Sequence, residues 1–180
     1  MITVFSGTNR ANSRSAIVAK KIYELLQAHT DEKVLFFDLK DLPTDFAHQA
    51  MYNPEEQSAA LAAIQDKYLI PATKIYIVAP EYNGDIPGIL KLFIDACSIR
   101  EYAASFHGGK KAALVGVAAG RAGGLRGLES MTGFLNYLKI NVLPNKLPIS
   151  SIGTLITDNQ LTDKETIKVL EQQVEEFVAF

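Results

Sequence analysis

A chain of 180 residues that is 48% hydrophobic and 21% charged, with a net charge of −2, has the length and core-forming content of one domain, here residues 1–180. The hydrophobic content excludes intrinsic disorder, the single cysteine Cys97 excludes a disulfide scaffold, and the balanced charge supplies no basic stripe for nucleic acid. No apolar run approaches the roughly 20 residues of a membrane span. Met1-Ile2-Thr3-Val4-Phe5 lacks the basic region of a signal peptide, so the expected setting is cytoplasmic, with no membrane partner.

Strand-like apolar runs alternate with helix-period segments. Ile2 to Phe5 is a short apolar strand ending at Ser6-Gly7, and Ser13 to about His29 follows with Ile17, Ile22, Leu25 and Leu26 at helical spacing. Lys33 to Leu39 reads as a second strand. A helix is predicted from about Pro54 to Leu69, with Pro54 in its first turn and Glu55 and Glu56 near its positive end. Lys74 to Ala79 is β-branched and almost continuously apolar, the pattern of a parallel strand covered on both faces.

Pro87 to about Ile99 is a third helix, Lys111 to Ala118 a fourth strand, and Leu125 to about Leu138 a fourth helix. Asn141 to Ile149 carries Pro144 and Pro148 and suits a sheet edge, because proline has no N–H to donate to a ladder. Thr162 to Phe180 closes the chain as a helix, with Thr162 and Glu165 at capping-box spacing. This alternation predicts an α/β fold, an open parallel sheet with helices on both faces. Right-handed crossovers leave few topologies, and five strands fit a flavodoxin-like three-layer sandwich of order 2-1-3-4-5, an order the sequence alone does not fix.

In such sheets ligands bind outside the carboxyl ends of the strands, where the strand order reverses. The loops after strands one, three and four are therefore the candidates, and they are the three least ordinary loops in the sequence. The first, Ser6 to Ser15, surrounds a helix N-terminus with the hydroxyls of Thr8, Ser13 and Ser15 and the guanidinium of Arg10. Helix N-terminal N–H groups and the helix dipole favour an anion, so this loop reads as a phosphate cradle; the plainer alternative is a helix capped by Ser13. It has neither the GxxxxGK[ST] of a P-loop nor the three glycines of a dinucleotide fingerprint. Asp38, near the end of the second strand, stands where a ribose-binding acid could sit; without the glycines that signal is weak, and it reads as a solvated strand-end aspartate.

The second loop, Ala79 to Gly88, holds Pro80, Glu81, Tyr82, Asn83 and Gly84, and its two prolines and two glycines restrict the backbone. Its amides and the flat face of Tyr82 suit the edge of a planar heterocycle; an Asn83-Gly84 turn into a helix is the equally simple alternative. The third loop, with Gly120, Gly123 and Gly124, leaves little side-chain bulk, for a ligand or for a tight turn. Together the three loops describe a flat, phosphorylated ligand lying across the strand ends. Cys97 reads as packing, and His29, His48 and His107 show no metal-ligand spacing. No catalytic side chain and no metal site are assigned.

These residues resemble the NADPH-dependent FMN reductase family of flavodoxin-like proteins, which includes flavin, quinone, azo-dye and chromate reductases. Gly7, Thr8, Arg10, Ser13 and Ser15 match its phosphate loop, G-[ST]-x-R-x-x-S-x-[NST]. Pro80-Glu81-Tyr82-Asn83-Gly84, Pro87-Gly88, Leu90-Lys91 and Ile94-Asp95 match its PEYNGxxPGxLKxxID signature. Asp38-Leu39 with Leu42-Pro43, and the glycines 120, 123 and 124, are similar to its second- and fourth-strand endings. The chain departs from it where Ala96-Cys97-Ser98 follows Ile94-Asp95 and where Ala118-Ala119 stands in place of a common serine.

The resemblance implies that Thr8, Arg10, Ser13 and Ser15 hold the FMN phosphate. Pro80 to Gly84 line the isoalloxazine ring, and Gly120, Gly123 and Gly124 its other edge. It implies hydride transfer from NADPH (or NADH) through FMN to a small acceptor: a quinone, an azo compound, a metal oxyanion or free flavin. It also implies a homodimer or homotetramer. The alternative is a flavodoxin-type electron carrier, against which stand the −2 charge and a first loop unlike T-x-T-G-x-T. Preference for NADPH over NADH requires a basic pocket for the 2′-phosphate, and no run of basic residues marks one.

Overall fold

The computed structural model describes residues 1–180. Five sheet positions run in the order 2-1-3-4-5: β2 (Val34–Asp38), β1 (Ile2–Ser6), β3 (Lys74–Pro80), β4 (Lys111–Val117), and then an edge position shared by β5 (Asn141–Val142) and β6 (Leu147–Ile149). Every neighbouring pair is parallel. Strand alternation explains why β1, β3 and β4 are apolar almost throughout. Ile2, Val4, Tyr76, Val78, Ala113 and Val115 face one core, while Phe5, Ile75, Ile77, Ala112 and Leu114 face the other.

The first core lies beneath α1 (Arg14–His29) and α6 (Lys164–Ala179), through Val18, Ile22, Leu26, Leu170, Val174 and Phe177. The second lies beneath α2 (Ala59–Ile64), α3 (Gly88–Cys97), α4 (Tyr102–Phe106) and α5 (Leu125–Tyr137), with Phe93 and Phe37 at its centre. Cys97 is fully buried there, and desolvation pushes its thiol well above the usual range, so it packs as an apolar side chain.

Three sequence expectations change. The helix expected from Pro54 begins at Ala59 instead: Pro54–Glu56 forms a separate 3-10 turn, Gln57 is extended, and Ser58 Oγ accepts the Leu61 N–H at 3.4 Å as the cap. The helix then widens into a π turn over Gln65–Leu69, and the buried Gln65 amide reaches the Cys97 carbonyl at 2.9 Å and Ser105 Oγ at 2.7 Å. At α6 the cap is Asp163, whose carboxylate accepts the Thr166 N–H at 2.8 Å; the Thr162 hydroxyl turns to Thr157 instead. Finally, the edge strand breaks in two around Pro144. Gln173 of α6 fills the break: its amide donates to the Leu114 carbonyl at 3.2 Å and the Asn145 carbonyl at 2.6 Å.

A two-stranded antiparallel hairpin, β7 (Ile156–Thr157) and β8 (Gln160–Leu161), precedes α6 and packs against α1. The end of α6 is fastened by the lysines that start two central strands. Lys74 Nζ donates to the Val178 carbonyl at 2.7 Å, and Lys111 Nζ donates to Phe180 O. Cations suit a helix C-terminus, whose last carbonyls lack partners. No helix is long and apolar enough to cross a membrane.

Candidate active site at the carboxyl ends of the strands

The loop after β1 leaves the sheet at Gly7, whose N–H still donates to the Val78 carbonyl at 2.8 Å. A Cβ on Gly7 would stand 2.9 Å from the Ala79 Cβ, so only glycine lets the loop lie this close to β3. Thr8 is buried, and its Oγ1 accepts the Arg10 N–H at 3.3 Å. Ser13 occupies the cap position of α1 but makes no capping hydrogen bond; its hydroxyl lies 2.6 Å from that of Ser15, and both residues are buried. The first turn of α1 contains no acidic residue. Arg10 is exposed and has no carboxylate within 4.0 Å.

A 16-residue helix that begins with no side-chain cap and no acid, beside buried hydroxyls and an unpaired guanidinium, has the donor set of a phosphate monoester site. The plainer expectation, Ser13 as an ordinary side-chain cap, is not met.

The loop after β3 folds as a tight turn. Tyr82 N–H donates to the Asp85 carbonyl at 2.8 Å, and Asp85 N–H returns the bond at 3.0 Å. Asn83 and Gly84 between them have φ of 53° and 83°, the type I′ geometry that Asn-Gly favours. Asp85 is fastened by the Ser130 hydroxyl and the Ile86 N–H, which hold its carboxyl below the usual range. Pro80 and Tyr82 are half-buried, and the phenol of Tyr82 meets Thr8 Oγ1 at 3.1 Å. The first two loops are therefore in direct contact.

Glu81 does something the sequence did not suggest. Its carboxylate accepts the Arg126 N–H at 3.0 Å and the Gly127 N–H at 3.4 Å, capping α5, whose own cap residue, Gly124, has no side chain. An acid at a helix N-terminus also suits the dipole. The pairing holds the loop after β3 to the start of α5 and turns the Glu81 side chain toward that helix.

The third loop contains two kinds of glycine. Gly123, at φ +64°, is pressed on β6, where a Cβ would come within 2.7 Å of the Pro148 Cβ. Gly124, at φ +84°, lies against Gly116 of β4 in the same way. Both are glycine because the loop folds back over the sheet edge. Gly120 is exposed, a Cβ there would meet nothing within 4 Å, and it is the glycine of the three that a ligand can approach.

Asp38 corrects its sequence reading. It is 6% exposed, not solvated, and its Oδ1 accepts the Lys40 N–H at 3.3 Å. In register beside it stands Ser6, whose buried hydroxyl has no hydrogen-bond partner. An acid at the end of β2 was visible in the sequence; its burial depends on α1 and the strand neighbours.

Comparison with known proteins places this arrangement. The chain is 29% identical over 162 residues to an NADPH azoreductase from Bacillus sp. (strain OY1-2), covering 89% of this chain and 81% of that one. It is 27% identical over 181 residues to a 2-hydroxy-1,4-benzoquinone reductase from Burkholderia sp, covering 99% of this chain and 94% of that one. In fold it is similar to a flavoenzyme NAD(P)H:(acceptor) oxidoreductase from Paracoccus denitrificans, with a TM-score of 0.79 at 21% identity over 99% of this chain and 94% of that one. A family model described as NADPH-dependent FMN reductase matches residues 1–154. That match spans most of the chain and both motif-bearing loops, and the protein belongs to the NADPH-dependent FMN reductase family, as an oxidoreductase.

Proposed function

We propose that the chain binds FMN across the carboxyl ends of β1, β3 and β4 and uses it to pass reducing equivalents from NADPH to a small oxidised acceptor, a quinone or an azo compound. The observation that carries this reading is the uncapped start of α1 beside buried Thr8, Ser13 and Ser15 and unpaired Arg10. Bound FMN supplies hydride acceptance and donation, so that reductant and acceptor use it in turn, in ping-pong order.

In this reading Thr8, Ser13 and Ser15 donate hydroxyl hydrogen bonds to the phosphate, and Arg10 offsets its charge. The backbone of Pro80, Glu81, Tyr82, Asn83 and Gly84 borders the ring, held rigid by the type I′ turn and the Glu81 cap. Gly120 borders the other edge, backed by Gly123 and Gly124. Preorganised backbone N–H groups there favour the negative charge of a reduced ring, and no side chain needs to act as a general acid.

Assembly into a homodimer or homotetramer belongs to the same reading. Its support is an apolar groove between α3 and α5, lined by Ile94, Tyr102 and Phe134 and flanked by Tyr137, which is 81% exposed. Light scattering that returns a monomer at micromolar concentration refutes it. A reducing, cytoplasmic setting is consistent with one buried, unpaired cysteine.

The decisive test is an anaerobic visible spectrum of the protein loaded with FMN and mixed with NADPH. Prompt bleaching of bound flavin, followed by reoxidation on adding a quinone, is expected. Bound flavin that stays oxidised overturns the reductase reading in favour of a carrier, and absence of flavin binding overturns both.

A further inference from the structure

A cleft of about 880 Å³ opens between the first half of α1, the end of β2 and the β7–β8 hairpin, a size within the range of small-molecule sites. Its lining is mostly polar and its charge is uneven. Lys20 from α1 and Arg10 at the rim have no carboxylate within 4.0 Å, and Lys40 reaches only Asp38, at 3.9 Å. Lys21 pairs with Glu24 at 2.6 Å, and each neutralises the other. The remaining cations outnumber the one remaining carboxylate.

That carboxylate, Asp38, has a side chain only 7% exposed and accepts one backbone N–H, from Lys40, so it retains acceptor capacity toward the cleft it lines. A buried carboxylate with spare acceptor sites suits a sugar hydroxyl, and ammonium groups in excess over carboxylates suit a phosphate dianion. A ribose phosphate ester presents both groups on one ring. Asn159 and Gln160 of the hairpin bring amides to the opposite wall. The hairpin begins at Ile156, beyond residue 154 where the family match ends, so this wall is a feature of the chain outside the matched region.

We propose that this cleft receives the 2′-phosphoadenosine end of NADPH, with Lys20 and Lys40 pairing with the 2′-phosphate and Asp38 accepting a hydrogen bond from the free 3′-hydroxyl. The inference rests on the reading that NADPH is the reductant, and it supplies the basic pocket that no run of residues in the sequence marks. It adjoins the phosphate cradle of residues 7–15 and shares Arg10, Asn12 and Ser13 with it, whereas Lys20, Lys40 and Asp38 lie outside that loop.

The test is calorimetric titration of the FMN-loaded chain, and of the chain without FMN, with adenosine 2′,5′-bisphosphate at low ionic strength. The parent is compared with the Lys20→Gln/Lys40→Gln variant; both lysines are exposed, and circular dichroism checks that the variant folds. Loss of two charge-assisted contacts is expected to weaken the bisphosphate at least about tenfold. The variant's KM for NADPH should rise by a similar factor relative to its KM for NADH. Equal affinity in parent and variant overturns the proposal, as does adenosine 5′-monophosphate or inorganic phosphate binding as tightly as the bisphosphate. A chain that binds the bisphosphate and loses it in the variant, yet never bleaches with NADPH, overturns the functional reading and supports the cleft. A chain that bleaches with an unchanged NADPH KM in the variant overturns the cleft alone.

Discussion

Thr8 Oγ1 and the Tyr82 hydroxyl lie 3.1 Å apart, and this bond joins the loop after β1 to the loop after β3. The two residues are separated by 74 positions in the chain, so the contact closes only when β1 and β3 pair. A bond of this kind between neutral groups contributes about 1 kcal/mol. Tyr82→Phe should therefore lower the unfolding free energy by about that amount in a urea titration, while leaving the ring face in place. No change in stability would mean that the loops are held together by other contacts.

The phosphate assignment makes a sharper demand. Arg10→Ala combined with Ser13→Ala removes one charge-assisted contact and one hydroxyl donor, together worth about 3 kcal/mol, or on the order of 100-fold in the Kd for FMN. Arg10 is exposed and Ser13 does not cap α1, so the stability cost should be confined to the lost Ser13–Ser15 hydroxyl contact, about 1 kcal/mol, well short of unfolding the chain. Fluorescence titration that finds FMN bound as tightly by the variant as by the parent removes the assignment.

Glu81 separates two roles that the sequence merges. Glu81→Ala deprives α5 of its cap and should cost about 1 kcal/mol of stability. Glu81→Gln keeps an acceptor oxygen and should recover much of it. Should both variants keep full stability and instead lose FMN, the carboxylate serves the ligand and not the helix.

Asp163 gives a pH signature. The Thr166 side chain and backbone hold its carboxyl below its ordinary 3.8, so in the folded chain it is the ionised form that is favoured. The stability it contributes is complete above about pH 3.8 and is lost as the pH falls through the lower folded value. Asp163→Ala should accordingly melt below the parent at pH 7, and the gap should close as the pH is taken below 3.8. A gap that is constant across this range would show that the carboxylate charge has no part in the cap.

Much of this protein is a local matter. The parallel α/β sheet follows from alternating apolar runs and helix-period segments, because parallel strands buried on both faces must be nearly all apolar. Right-handed crossovers narrow the strand orders, and pairing between distant strands selects 2-1-3-4-5 among them. The three candidate loops were legible for a related reason: hydroxyls at a helix start, an Asn-Gly pair and clustered glycines carry their conformational meaning within a few residues.

The remainder depends on contacts across the chain. Whether Pro54 or Ser58 starts a helix turned on which group met the first free N–H, and Asp163 prevailed over Thr162 on the same ground. Glu81 became the cap of a helix 45 positions away, a pairing that no local spacing encodes. Gly123 and Gly124 are glycine because of β6 and β4, which lie beneath them only after the sheet has formed. Asp38 reads as solvated in the sequence and is buried in the fold, since burial depends on what the other elements cover. The alternation of strands and helices and the unusual loops after β1, β3 and β4 could be read from the residues, because they rest on periodicity and short-range backbone preference. Which of those side chains are buried and which pair with a neighbouring element emerged with the folded chain, because hydrogen-bond partners and desolvation belong to pairs of residues far apart in sequence.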